Sequence, residues 1–241
     1  ALYHMQQAVM SEKQKALVYT MGEDLRTLAE AEYNGIKWDS DGANKKLTTL
    51  SEKITAINTT LSTYLPVISH GKFNWDSGDC LSALIYGGTL EFLYSVPEPS
   101  VYKSGPSKGQ SYVKNRWFTE VVSFPSRFKP LEGTELKKTK GVEGVRTRFY
   151  AVDDPTLAQL KTRKGTDKDL IQLLRERSKL LKVAEMIESI NKKRTELNWQ
   201  DDLLHAQFNQ NVAITGRLSS SNPNMQNTPA EIDELLVSRY D

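Results

Sequence analysis

Residues Thr215 to Pro229 read TGRLSSSNPNMQNTP, and these fifteen positions hold Arg217, three serines, three asparagines and Gln226 with almost no apolar filler. Such a run does not build a core, because an amide or hydroxyl buried without a partner costs kilocalories. Its polar groups face water, cap backbone, or meet a polar ligand. Pro223 and Pro229 stiffen the segment, which lowers the ordering entropy lost on binding. The plain alternative is a rigid surface loop rich in serine and asparagine.

Working outward, the chain has 241 residues, enough for one large or two small domains with a real core. Charged residues make up 26% and hydrophobic ones 38%, ordinary proportions for a polar globular protein. No apolar run approaches the length of a membrane span and no signal-peptide pattern is visible, so a cytoplasmic protein without membrane attachment is expected. Cys80 is the single cysteine, which excludes an internal disulfide and fits a reducing compartment. With three scattered histidines it makes no zinc set, and no metal site is expected in this chain. The net charge of +2 hides an asymmetry: Val101 to Lys182 carry 19 Lys and Arg against 9 Asp and Glu, and the rest is net negative. A basic block between acidic ones suits a polyanion on one face, or simply a solvated surface. The chain opens at Ala1 and closes at Asp241 without a tail, and reads as part of something longer.

Leu17, Met21, Leu25, Leu28 and Ala29 have helical spacing over 11–33, with Asn34-Gly35 as the stop. After the link IKWDS at 36–40, a second helix is expected over 41–65 from Leu47, Leu50, Ile54, Ile57, Leu61 and Leu65, stopped by Pro66. Two long helices with a short link predict a helical hairpin. Asp76 or Ser77 can cap a short helix ending at Gly87-Gly88. From about 90 to 150 the texture turns aromatic and β-branched between Pro and Gly clusters, which predicts a β-rich insert with basic loops. Helical pattern returns at 155–161 and 167–192, and 199–214 reads as strand and turn. The expected fold class is α+β, mainly helical.

Among candidate chemical groups, Asp153-Asp154 is a carboxylate pair, but the following Pro155 marks a helix N-cap. His205, beside Leu203-Leu204, reads as structural, and Cys80 as a small core or surface residue. The four tryptophans read as packing anchors, with base stacking a minor alternative for Trp117. Arg217 is different: its planar fork of donors suits phosphate oxygens or minor-groove acceptors. Asn224, Gln226 and Asn227 each donate and accept. All base pairs share minor-groove acceptors at purine N3 and pyrimidine O2, so donors held there test pair geometry without reading sequence.

The 215–229 run resembles the TGRLSSxxPNxQNxP signature of family A (polymerase I-like) DNA polymerases, matching at all eleven fixed positions. HAQFNQ at 205–210 resembles the family's H-x-x-[YF]-x-Q strand, and RERSKL at 175–180 its thumb-helix segment R-x-x-x-K-L-K. In that segment the second lysine of the pattern is replaced by Leu181, with Lys182 one place later. MGEDLRTLAEAEYNGIKWD at 21–39 is similar to the opening thumb helix, and FNWDSGDCLSALIYG at 73–87 to the helix at the thumb's base in a phage-like form. The insert at 90–150 departs from bacterial members.

The resemblance implies a thumb over 1–198 and the start of the palm over 199–241. It implies primer–template duplex DNA as partner during template-directed DNA synthesis. Arg175 and Lys179 would contact phosphates, and Arg217, Asn224, Gln226 and Asn227 the duplex near the primer end; Gln210 and Ser219 are further candidates. Lys137, Lys138 and Lys140 extend the basic surface by charge alone. The family's metal-binding aspartates lie in a later D-Y-S strand and beyond, so no catalytic residue falls in this chain. Mg is expected only in the complete polymerase, because two-metal phosphoryl transfer needs those carboxylates. Three readings stay open: a piece of one long nucleotidyltransferase, one half of a split polymerase whose separate polypeptide carries the rest of palm and fingers, or a non-catalytic duplex-binding module.

Overall fold

The computed structural model describes residues 9–142, 145–160, 165–210, 217–226 and 228–238, with side chains left aside at 137–147 and 165–168. The described elements are α1 (Glu12–Asn34), β1 (Ile36–Trp38), α2 (Ser40–Ser62), α3 (Gly78–Tyr86), β2 (Gly88–Val101), β3 (Ser111–Phe124), β4 (Glu135–Val142), β5 (Val145–Tyr150), α4 (Asp154–Gln159), α5 (Gly165–Glu196), β6 (Leu203–Leu204), β7 (Gln207–Asn209), β8 (Ser219–Ser221), a 3-10 turn (Ala230–Leu235) and β9 (Leu236–Val237). Helix and strand are mixed and the sheets are small, as the α+β expectation required. The chain divides into two compact units, Ala1–Ile54 with Lys179–Asp241, and Thr55–Ser178. None of the described helices is long and apolar enough to cross a membrane.

Local signals set the helix ends of the first unit. Ser11 caps α1: its hydroxyl accepts from the Gln14 amide at 3.3 Å while the Gln14 side chain accepts from the Ser11 amide at 2.8 Å. Gly35 ends it at φ 67°, donating its amide to the Ala31 carbonyl at 3.0 Å. A Cβ there would also lie 2.9 Å from Cε1 of His205, so glycine is required twice over. The apolar stripe of α1 is not a core face, however. None of its residues is buried, and Leu17 and Leu25 are more than half exposed.

The link after Gly35 corrects the expectation of a bare connection in a helical hairpin. Residues Ile36–Trp38 form β1, the central strand of a three-stranded antiparallel sheet in the order β6-β1-β9, pairing Ile36 with Leu204 and Trp38 with Leu236. Trp38, 1% exposed, sits in a core with Leu50 of α2, Ile187 and Ile190 of α5, Leu204, Ile232 and Leu235. Its indole N–H donates to the Asn191 side chain at 3.1 Å, so the ring is buried without leaving its polar atom unpaired. Arg194 and Ser40 both bond the Asp202 carboxylate, which fastens the start of α2 to the end of α5.

In the second unit Ser77 caps α3, its hydroxyl accepting from the Cys80 amide at 3.5 Å, and Gly87 ends it at φ 85°. The buried Ser82 hydroxyl accepts the Tyr150 amide at 2.8 Å, pinning β5 to α3. β2 and β3 pair over fourteen residues each, from Gly88 with Phe124 to Val101 with Ser111. The hairpin is held at its base by Glu120, whose carboxylate accepts the amides of Ser69, His70 and Gly71 at 2.7, 2.8 and 2.8 Å. These three backbone donors hold the Glu120 carboxyl below its usual range.

Two outcomes follow from this packing. Trp38→Ala should lower unfolding stability by about 3–5 kcal/mol, measured by denaturant titration, since the cavity opens where four chain segments meet. For Glu120, a carboxyl lowered by folding adds stability that is present above its unfolded pKa and is lost as pH falls through the folded value. The stability gap between the wild type and Glu120→Gln should therefore be widest near neutrality and narrow on acidification below about pH 4; a pH-independent gap would show that the carboxylate charge contributes nothing.

Candidate nucleic-acid interface

The 215–229 run is organised by a short hairpin and one buried hydroxyl. β7 pairs antiparallel with β8, setting Gln207 against Ser221, Phe208 against Ser220 and Asn209 against Ser219. Ser220 is 7% exposed; its hydroxyl donates to the Pro223 carbonyl at 3.3 Å and accepts the Met225 amide at 2.9 Å. The Asn222–Pro223 peptide is cis and Asn222 has φ 53°. Met225 packs against the Trp38 core, and Ile232 and Leu235 just beyond are buried in it. The loop is thus anchored by apolar residues on one side, and its polar side chains take the other.

Arg217, Asn224 and Gln226 are exposed on this one loop. The Asn224 side-chain oxygen accepts the Gln226 amide at 3.1 Å, which orders the turn between them. Ser219 is half-buried on β8 and donates to the Asn209 carbonyl at 3.4 Å; Gln210 is half-buried just past β7. Thr215, Gly216 and Asn227 lie outside the described residues, as do the side chains of Lys137, Lys138 and Lys140. The hairpin is tied to α1 by Glu32, whose side chain accepts the Phe208 amide at 2.5 Å and whose carbonyl meets Nδ1 of His205 at 2.7 Å. His205 packs edge-on to Trp199 with ring centroids 6.1 Å apart, in keeping with a structural role. The NG and HAQFNQ stretches, some 170 residues apart in sequence, therefore touch through Gly35 and His205.

On α5, Lys179 is exposed and has no partner among the described residues, whereas Arg175 is engaged. Its guanidinium makes a two-pronged bond to Asp154, Nε to Oδ1 at 2.6 Å and Nη2 to Oδ2 at 3.2 Å. Asp153 occupies the N-cap position of α4 and accepts the Thr156 hydroxyl. Both carboxylates are therefore committed to structure, and among the described residues no group of three or more His, Cys, Asp or Glu side chains is placed to hold an ion. Neither carboxylate of the Asp153-Asp154 pair is free to join a Mg site among the described residues.

Arg177 escaped the sequence reading. It is 8% exposed and donates to the Asn58 side chain at 2.8 Å, to Asp76 at 2.9 Å and to the Trp75 carbonyl at 3.4 Å. It is a structural clamp, since a buried cation needs every donor answered. Only its place between Leu174 and Leu181 on the apolar side of α5 hinted at burial.

Residues 128–239 match the family model described as DNA polymerase family A. That stretch contains α4, α5, β6 to β9 and the whole signature loop. Over residues 128–239 the chain is thus similar to DNA polymerase family A. The chain is similar to DNA polymerase I of Synechocystis, 37% identical over 105 residues that make up 42% of this chain and 10% of that protein. Its fold resembles the POL domain of Pol1 from M. smegmatis, solved in complex with DNA primer-template and dNTP. That likeness has a TM-score of 0.54 and 20% identity, covering 88% of this chain and 28% of the mycobacterial one. The chain thus spans about a tenth of the first relative and under a third of the second.

The 215–229 loop depends on Ser220 for its shape. Ser220→Ala leaves the half-buried Met225 amide without its acceptor and should cost about 1–3 kcal/mol. Hydrogen exchange at Met225 should accelerate more than at Leu204, which lies in the same unit but outside the loop.

Proposed function

We propose that this chain grips primer–template duplex DNA as part of a family A DNA-directed DNA polymerase, with residues 1–198 as thumb and 199–241 as the beginning of the palm. The observation that carries this reading is the signature loop itself: Arg217, Asn224 and Gln226 are exposed together on a loop whose other side is anchored by Ser220 and Met225. Donors displayed this way suit the minor-groove acceptors common to all base pairs. Asn227 and Gln210 extend the same contact in this reading, with Ser219 at its edge. Lys179 adds a sequence-blind phosphate contact, and Arg175 does so by exchanging Asp154 for a phosphate. The mycobacterial neighbour's complex with DNA primer-template and dNTP supports the choice of ligand. Metal chemistry belongs to aspartates outside this chain, so the 241-residue chain is inactive alone, either as part of one longer polypeptide or paired with a separate one.

The test is a titration of labelled primer–template with the chain at two salt concentrations. Affinity should fall steeply as salt rises, because each neutralised phosphate releases counterions. Arg217→Ala should weaken binding by about 1–3 kcal/mol if its fork makes two hydrogen bonds to the duplex. Affinity that ignores both salt and this substitution would remove the loop from the DNA interface.

A further inference from the structure

The β2–β3 hairpin has one largely exposed face, and among the described residues no strand pairs with the outer edge of β2. The pairing register and one turn bond define which backbone groups are involved. The Tyr102 amide donates to the Gln110 carbonyl at 3.1 Å, and Tyr102 and Gln110 continue the register that runs from Gly88 with Phe124 to Val101 with Ser111. In an antiparallel pair, hydrogen-bonded and non-bonded positions alternate. Even-numbered residues of β2 therefore bond β3, and odd-numbered ones turn their N–H and C=O away from it. Pro97 and Pro99 agree with this parity, because proline has no amide to offer β3.

The outward edge of β2 thus has two halves. At 97 and 99 prolines remove the donors, a common way to block strand addition. At Glu91, Leu93 and Ser95 the amides are intact, and among the described residues no backbone or side-chain hydrogen bond reaches them from outside the hairpin. Alongside this stretch runs a groove of about 540 Å³, lined by Leu90 to Ser95 on one wall and by His70, Lys72, Asn74 and Ser77 on the other. The odd-numbered side chains of β2 and their β3 partners share one face. On it Leu93 is 65% exposed, Trp117 60% and Val113 70%, and Glu91 is the single charged residue.

We propose that the open half of the β2 edge, Glu91 to Ser95, is a docking site for an extended polypeptide segment of a partner protein, added as a third antiparallel strand. Peptide residues opposite Ser95 and Leu93 share the face of Leu93 and Trp117 and are apolar; the residue opposite Glu91 is Lys or Arg. Main-chain bonds to Glu91, Leu93 and Ser95 supply affinity, and the exposed face supplies specificity. A second copy of this chain fits poorly. Five residues give about 17 Å of ladder at about 3.4 Å each, and a stable dimer buries about 800 Å² on each partner.

The probe is the synthetic peptide Thr-Val-Thr-Val-Thr-Lys-Thr, titrated into the 241-residue chain while hydrogen exchange is followed residue by residue. Without peptide, the amides of Glu91, Leu93 and Ser95 should exchange quickly and those of Phe92 and Tyr94 slowly. Saturable binding should slow the first three. Ser95→Pro extends the existing proline block without touching the β3 ladder, and should weaken binding about ten-fold or more through the lost hydrogen bond; Ser95→Ala should not. N-methylation of the two valines should abolish binding. No saturation up to about 1 mM peptide, or equal affinity for the Ser95→Pro chain, would overturn the proposal. Protection of the same amides that rises with protein concentration alone would overturn it in favour of self-association.

Discussion

The burial of Trp38 is the constraint on which the first unit rests. The ring stands in a three-residue strand too short to be stable by itself, and it is enclosed by residues from α2, from α5 and from the 3-10 turn that follows the signature loop. An aromatic side chain of this size contributes kilocalories only when its whole perimeter is covered. The segments that cover it come from positions near 50, 187, 204 and 232, so the core closes only when the chain is brought together over its full length. The hydrogen bond to Asn191 fixes the ring's orientation as well as its depth.

The signature loop takes its form from that core. Met225, Ile232 and Leu235 are held by the apolar cluster, and Ser220 uses both its donor and its acceptor to fold the intervening turn. The polar side chains are left outward because the space on the other side is filled. A loop ordered before it meets a ligand loses less entropy on binding. The match to the family A model covers this loop with α5, β6 to β9 and the 3-10 turn, and leaves out Trp38 and α1.

The second unit follows a different rule, in which charge is consumed by structure. Arg175, read from the sequence as a free cation, is paired with Asp154, and Arg177 is buried among Asn58, Asp76 and the Trp75 carbonyl. Glu120 is spent on three amides of the 69–71 loop. Of the cations singled out on α5, Lys179 and Lys182 remain exposed. Arg175 and Arg177, two of the nineteen Lys and Arg over 101–182, are therefore already engaged within the protein.

What the sequence determined by itself was local. Gly35, Ser77 and Gly87 mark helix ends because a cap acts within four residues of its own position. An N-cap at the Asp153-Asp154 pair before Pro155 was legible for the same reason, and Asp153 is the residue that takes it. So was the signature, since eleven fixed positions in one run need no partner elsewhere to be read. The tertiary structure alone decided what depends on distant partners. β1 was not legible, because three residues carry no periodicity and become a strand only when Leu203-Leu204 and Leu236-Val237 flank them. The stripe on α1 has the spacing of a core face yet stays exposed, since periodicity shows which residues share a face and not whether anything packs against it. Arg175 and Arg177 stand two residues apart on one helix, and only the neighbours of each, Asp154 in one case and Asn58 with Asp76 in the other, tell what each cation does.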